Sequence, residues 1–334
     1  VFIVDLLARN DATGGAIVTR RPMSRSARGT RRSSRGEGHV LFEDHRELLV
    51  AVAYRVVGTV ADAEDVVQDA WLRWRDVDHA TVADVRGYLV TVTTRLAIDR
   101  LRRARRESYV GPWLPEPVLT EAPTPYDAVA RADSVSMALL VVLETLSPLE
   151  RAVFVLHEAF AFGYPEIARI IGRSVPAVRQ LGHRARAHVR ARRPRYEPDP
   201  GVRRAVTERF LTACLDGDLA TLLEVLAPDV TLWADGGGRA PAPRRPLHGA
   251  DQVARFFAAT AAKIPPGTTV RAIEANGGPA ALTLLDGVPY AVFVLDLAQD
   301  DHRVTAIRVV ANPAKLTGVL PPDGVIRSSR VLNA

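Results

Sequence analysis

The sequence predicts a multidomain chain of two all-α domains followed by one α+β domain. Apolar residues recur at helical spacing, between recognisable caps, up to about residue 195. Past Pro200 the pattern changes to short β-branched stretches and an Asp-Gly turn. A proline-dense stretch at 109–130 divides the helical part in two. The length of 334 residues agrees, because two or three cores are expected at about 150 residues per domain.

Residues 1–40 form a Gly/Ser/Arg-rich segment with almost no apolar periodicity, so a disordered tail is expected there. From Leu41, Phe42, Leu48, Leu49, Val52 and Val56 give one apolar helical face, which Gly58 ends. A second helix follows over DAEDVVQDAWLRWRDV, with Asp62 as the expected cap, Asp65 three residues on, and Val66, Ala70, Leu72 and Trp74 as its apolar surface. A third helix carries Tyr88, Leu89, Val92, Leu96 and Leu101 inward and ends in Arg95, Arg100, Arg102, Arg103, Arg105 and Arg106. The first domain is thus expected over 41–108 and the linker, with its WLPEP segment, over 109–130.

The second helical domain is expected over 131–195. Ser147, Pro148 and Glu150 read as N-cap, N1 and N3 of one helix. GYPEIARIIG is a short helix opened by Pro165 and closed by Gly172, and Ser174 caps a further helix through Val178, Leu181, Ala185 and Val189. The third domain, 201–320, has helices expected near 203–215, 218–227 and 249–262. Its strands are expected near 229–234, 268–275, 279–286, 289–297 and 303–310, with Asp286-Gly287 as a hairpin turn. Residues 321–334 are expected to be a tail.

Arg and Lys number 44 against 38 Asp and Glu, a net charge of +6, and all but Lys263 and Lys315 of the cations are arginines. The excess sits in residues 1–40 and 131–200, whereas 201–334 is near neutral. A polyanion partner for the first 200 residues follows, since guanidinium groups suit phosphates and base edges. One cysteine, Cys214, excludes a disulfide framework, and His183 and His188, five apart, do not make a zinc pair; no metal or other cofactor is expected. The apolar start is broken by Asp5, and no uncharged run approaches the roughly 20 residues of a membrane span, so a cytoplasmic location without membrane association is expected.

The two helices around Gly172 have the spacing of a helix-turn-helix, in which the second helix enters a major groove. Ala177, Arg179, Gln180, Arg184 and Arg186 are placed to meet bases or phosphates. The arginine comb of the third helix, with Trp71, Trp74 and Tyr88 nearby, suits single-stranded DNA. These residues leave open a conventional helix-turn-helix regulator whose third domain senses a ligand.

These motifs together resemble the extracytoplasmic-function sigma factors of the sigma-70 family. Residues 42–106 are similar to region 2 and residues 147–190 to region 4. The resemblance implies a transcription initiation factor that binds core RNA polymerase, through its β′ clamp and β subunit, and reads the −10 and −35 promoter elements. It implies polymerase contact from Asp62, Asp65, Gln68 and Trp71. It implies promoter contact from Arg95, Asp99, Arg100, Arg103, Gln180 and Arg184.

The third domain resembles the SnoaL-like branch of the NTF2-like cones, α+β folds around a cavity. Sigma factors with this extension carry three pieces found here: WLPEP with Trp113, Leu114 and Pro115; DGGGRA with Asp235, Gly236, Gly237 and Gly238; and NPAKL with Asn312, Pro313, Lys315 and Leu316. Ala314 stands where the group usually has an acid, so no ion pair is expected from that position. The resemblance implies that the extension modulates the attached sigma domains in place of a separate anti-sigma protein. Trp113 and Leu114 are expected to dock near Gly236–Gly238 and hold a compact, monomeric chain. Asp229, Trp233, Asp235, Tyr290, Asp296 and His302 are the polar or aromatic candidates for the cone cavity, which can take an unidentified small molecule; catalysis there is not expected.

Overall fold

A computed structural model describes residues 26–104, 109–119, 136–192 and 199–319, with side chains from Glu37 onward. Arg105, Arg106 and the tail after residue 320 lie outside the described residues.

The first unit is a bundle of α1 (Ser26–Val57), α2 (Val60–Arg75) and α3 (Val85–Ala104). Helix α1 begins fifteen residues before the expected Leu41, within the segment read as a disordered tail. Two contacts that composition does not reveal anchor its approach: the Trp74 indole Nε1 donates to the Gly38 carbonyl at 2.7 Å, and His39 meets Trp71 edge-on. Gly58, at φ +86°, ends α1 as expected. The cap of α2 is Thr59, not Asp62: the Thr59 hydroxyl accepts from the Asp62 N–H at 3.2 Å and donates to the Asp62 carboxylate at 2.6 Å. Val66, Ala70 and Trp74 are buried at four-residue spacing. Leu72, two residues off that stripe, is 42% exposed and is not core.

The second unit comprises α4 (Met137–Glu144), α5 (Pro148–Phe154), a π turn (Val155–Ala159), α6 (Tyr164–Ile171) and α7 (Val175–Arg192). Ser147 and Glu150 form the reciprocal capping box read from the sequence, and Gly172 closes α6 in the left-handed region at φ +64°. The two helical units share one core: Leu49, Trp74 and Leu89 are continuous with Leu140, Val153, Leu156 and Ile167. Arg151, 1% exposed, crosses this seam, donating from Nε to the Arg55 carbonyl at 3.0 Å and pairing with Glu144.

The third unit packs α8 (Pro200–Asp216), α9 (Leu219–Val225) and α10 (Ala250–Ala261) on a sheet of β1 (Leu226–Asp235), β2 (Leu247–His248), β3 (Thr268–Ala275), β4 (Gly278–Leu285), β5 (Val288–Leu297) and β6 (Val304–Val310). The order is β2-β1-β6-β5-β4-β3, parallel only between β1 and β6. The two-residue β2 was not foreseen, being too short for a period. Asp286 and Gly287, at φ +51° and +82°, turn β4 into β5 as expected, and Asn276-Gly277 turns β3 into β4 in the same way.

One face of the sheet buries Phe210, Leu222, Phe257, Leu295 and Ile307 beneath the helices. The opposite face buries Leu282, Leu284, Val292 and Val310 beneath Leu114, Leu119, Met137, Leu316 and Val319. The described linker, 109–119, is therefore a strap laid on the sheet and not a solvent-exposed spacer: every residue from Leu114 to Leu119 is buried. Its prolines keep it extended, and its alternate apolar side chains supply the burial.

Candidate functional site

The strap joins the sheet at Asp235, the last residue of β1, which is fully buried. Its carboxylate accepts from the Tyr109 hydroxyl at 2.5 Å, the Leu114 N–H at 2.9 Å, the Gly237 N–H at 3.0 Å and the Lys315 ammonium at 2.7 Å. Lys315 also donates to the Leu114 carbonyl at 2.5 Å and lies 4.0 Å from the centre of the Trp113 ring. Burial pulls the Lys315 pKa below its ordinary value, against the opposing pull of Asp235. Asn312 donates to the Tyr109 hydroxyl at 2.9 Å, and Pro313 opens the 3-10 turn Pro313–Lys315 that aims the ammonium inward. Gly237, at φ +57°, leaves room for this: an added Cβ would sit 2.3 Å from Asn312 Nδ2. Pro115, Gly236 and Leu316 are buried beside the cluster, and Val110 packs on Gly238. WLPEP, DGGG and NPAKL thus meet in one place. The ion pair comes from Lys315, next to the Ala314 position from which none was expected.

The other edge of the strap faces the first helical unit. The Glu116 N–H donates to the Gly58 carbonyl at 3.0 Å, and its carboxylate accepts from the Val60 N–H, at the start of α2, at 2.8 Å. Tyr54 donates to the Glu116 carbonyl at 2.9 Å and accepts from Asn276 Nδ2 at 2.9 Å, so α1, the strap and the β3–β4 turn meet at one hydroxyl. Asn276 also holds Val118 twice, its N–H donating to the Val118 carbonyl at 2.8 Å and its side-chain Oδ1 accepting from the Val118 N–H at 3.3 Å, and Leu119 bridges Ala275. Trp113 lies over Gly58, where an added Cβ would be 2.6 Å from its ring. Burial pushes the Glu116 carboxyl up to about 6, opposed by the Val60 and Ala61 amides. Glu116, Tyr54, Tyr109 and Asn276 were missed in the sequence. Only Glu116 carried a local signal, as an acid inside an otherwise apolar, proline-flanked segment.

Four of the arginines expected to meet promoter DNA, Arg95, Arg100, Arg184 and Arg186, are engaged within the chain. Arg95 donates to the Ile170 and Arg169 carbonyls, at 2.7 and 3.1 Å, and so binds the C-terminus of α6 to α3. Arg100 donates to Asp62 at 2.6 Å and Asp65 at 3.0 Å, bringing a residue expected at DNA onto two expected at polymerase. Arg184 pairs with Glu150 at 2.9 Å, and Arg186 contacts Glu158 at 3.3 Å and the Tyr164 hydroxyl at 2.6 Å. Asp99 pairs along its own helix with Arg102 at 3.1 Å. Arg103, Arg179 and Gln180 are exposed, and Ala177 is half-buried. On α2, Asp65, Gln68 and Leu72 are exposed, while Trp71 is half-buried against Phe42.

A cavity of about 280 Å³ lies between α8 and β3–β4, lined by Thr207, Leu211, Leu215, Val270, Ile273 and Ala280. The six candidates read for the cone do not line it. Asp235 is taken by the strap, Asp296 pairs with Arg308 at 2.7 Å, and that guanidinium lies over the Trp233 ring. Asp229 and Tyr290 are exposed, and His302 sits in the β5–β6 turn at φ +55°. Among the described residues no helix is long and apolar enough to cross a membrane, and no group of three or more His, Cys, Asp or Glu could hold a metal ion.

Residues 41–107 match the Sigma-70 region 2 family, residues 136–189 the Sigma-70 region 4 family, and residues 207–311 the SnoaL-like domain family. The chain is 43% identical to the ECF RNA polymerase sigma factor SigJ of Mycobacterium tuberculosis over 83% of its own length and 92% of that protein. It belongs to the extracytoplasmic-function sigma factors. This sigma factor has a fused SnoaL-like domain and acts in transcription initiation through its two sigma-70 regions, the function class that implies RNA polymerase and promoter DNA as partners. It is also 36% identical, over 81% of its length and 92% of the relative, to a probable ECF sigma factor, SigI, of the same species. The crystal structure of SigJ from M. tuberculosis superposes with a TM-score of 0.67 at 40% identity, covering 83% of this chain and 97% of that one.

Proposed function

We propose that the SnoaL-like domain of this sigma factor is a built-in regulator that acts through the strap and performs no catalysis of its own. The observation that carries this reading is the buried Asp235 carboxylate, which holds Tyr109, Leu114 and Lys315 at once. While those bonds stand, Glu116 stays on α2, and Arg95 and Arg151 hold the two sigma regions on one core. Regions so packed are not free to separate along a promoter.

In the released form, Asp62, Asp65, Gln68 and Trp71 engage the β′ clamp of core polymerase. Arg95, Asp99, Arg100 and Arg103 then engage the −10 strand, and α7, through Ala177, Arg179, Gln180, Arg184 and Arg186, engages the −35 major groove. The cavity beside α8, whose lining also includes Arg204, Glu208 and Asp216, is the place for a small effector with an apolar body and a polar or charged group, and its β3–β4 wall ends near Asn276, which holds Val118. The work is done in the cytoplasm, where the polymerase is.

The test is transcription in vitro with purified core polymerase, comparing the full chain with Trp113→Ala and Lys315→Met. Both variants are expected to change promoter-dependent transcript yield several-fold in the same direction. Equal yields from all three proteins overturn intramolecular control.

A further inference from the structure

Asp62 and Asp65 sit three residues apart on α2, and the planar guanidinium of Arg100 on α3 spans both carboxylates. Two acids at this spacing make a receptor with the shape of a forked guanidinium, a group that an ammonium would fill with fewer bonds. The receptor is not sealed, since the side chains of Asp62, Asp65 and Arg100 are 32%, 57% and 40% exposed. Gln68 and the exposed Leu72 extend the same face of α2 toward solvent. The surface therefore fits a basic helix that presents an arginine and a small apolar contact.

We infer that Arg100 is an internal stand-in for an arginine of core polymerase: it occupies the Asp62–Asp65 receptor in the free chain, is displaced when polymerase binds, and only then reaches DNA. The inference rests on the reading of α2 as the polymerase-binding face. Two arginines cannot fork the same pair of carboxylates, so polymerase binding and Arg100 release are one exchange. The exchange breaks one pair of charge-assisted contacts as it makes another, so its net cost is small. It sets an order of events, polymerase first and promoter second. It also lowers the attraction of the free factor for DNA, because Arg100 is neutralised by two acids until then.

The experiment measures equilibrium binding of the labelled full chain to purified core polymerase for wild type, Asp65→Asn, Arg100→Gln, Arg102→Gln and the double variant Asp65→Asn/Arg100→Gln. Arg102→Gln makes the same change of net charge on α3 without touching the receptor, since Arg102 pairs with Asp99. Asp65→Asn is expected to weaken binding and Arg100→Gln to tighten it, each by about threefold, the scale of an exposed ion pair. Arg102→Gln is expected to bind as wild type does. The gain from Arg100→Gln is expected to vanish on the Asp65→Asn background. Arg100, Asp62 and Asp65 all lie in region 2, so loosening of the two regions does not mimic this pattern. If Asp65→Asn binds as wild type does, the polymerase reading of α2 fails, and the exchange with it. If Asp65→Asn weakens binding but Arg100→Gln does not tighten it, or Arg102→Gln tightens it equally, the exchange alone is overturned.

Discussion

Lys315 and Asp235, separated by 80 residues in sequence, form a buried ion pair with Nζ 2.7 Å from the carboxylate, and the strap backbone at Leu114 bonds to both. Removing only the cation leaves a buried charge whose remaining partners are an N–H pair and a phenol. Lys315→Met is expected to destabilise the SnoaL-like domain and its strap by about 3–5 kcal/mol, whereas Asp235→Asn/Lys315→Met is expected to recover a large part of that loss. A double-mutant cycle by urea unfolding reads the difference.

Gly237 and Gly287 both lie at positive φ, but only Gly237 is crowded, by Asn312 Nδ2. Gly287→Ala is expected to cost about 1 kcal/mol, for its backbone conformation alone. Gly237→Ala is expected to cost more, because Asn312 must move off Tyr109 as well. Thermal unfolding of the two variants ranks them, and an equal fall contradicts the crowding.

The Glu116 carboxyl titrates at about 6 when docked on α2, above its ordinary 4.5, so the docked form holds its proton more tightly than the released form. The sign follows from linkage. Charging Glu116 penalises docking fully above pH 6, and the penalty fades as pH falls through 6 and is gone below 4.5, a swing of about 2 kcal/mol at most. Docking in the wild type is expected to tighten between pH 7.5 and 5 relative to Glu116→Gln, which has no charge to lose. Hydrogen exchange at Leu114–Leu119 in the two proteins measures it.

Val66 and Leu72 belong to the same helix, yet one is 2% and the other 42% exposed. Val66→Ala is expected to lower stability by about 2 kcal/mol, and Leu72→Ala by less than 0.5. Leu72→Ala is instead expected to weaken association with core polymerase. Loss of stability from Leu72→Ala comparable to that of Val66→Ala would contradict its place on the solvent face.

Local grammar was legible at several points of the sequence, though not at the cap of α2, which is Thr59 in place of Asp62. The span of β3, the capping box of Ser147 with Glu150, the left-handed Gly172 and the Asp286-Gly287 turn each follow from a few neighbouring residues, and the structure has them where the spacing puts them. The meeting of WLPEP, DGGG and NPAKL was legible only through a family resemblance, since no spacing rule links residues 114, 235 and 315. The Tyr54–Asn276 bond, across 222 residues, had no signal at all. Leu72 and the start of α1 were misread for a related reason: a helix with apolar residues on two faces does not say which face is covered, and a polar segment does not say that a tryptophan will bond to its backbone.

Under the release proposed above, the single apolar core shared by regions 2 and 4 makes activation a different kind of physical event. Two beads on a tether separate at the speed of diffusion. Two halves of one core separate only by admitting water to the apolar side chains where α1 and α3 meet α5, the π turn and α6, which is a partial unfolding. On that proposal, release inherits the character of a folding barrier: steeply dependent on temperature, accompanied by a rise in heat capacity, and tunable by any residue on the seam.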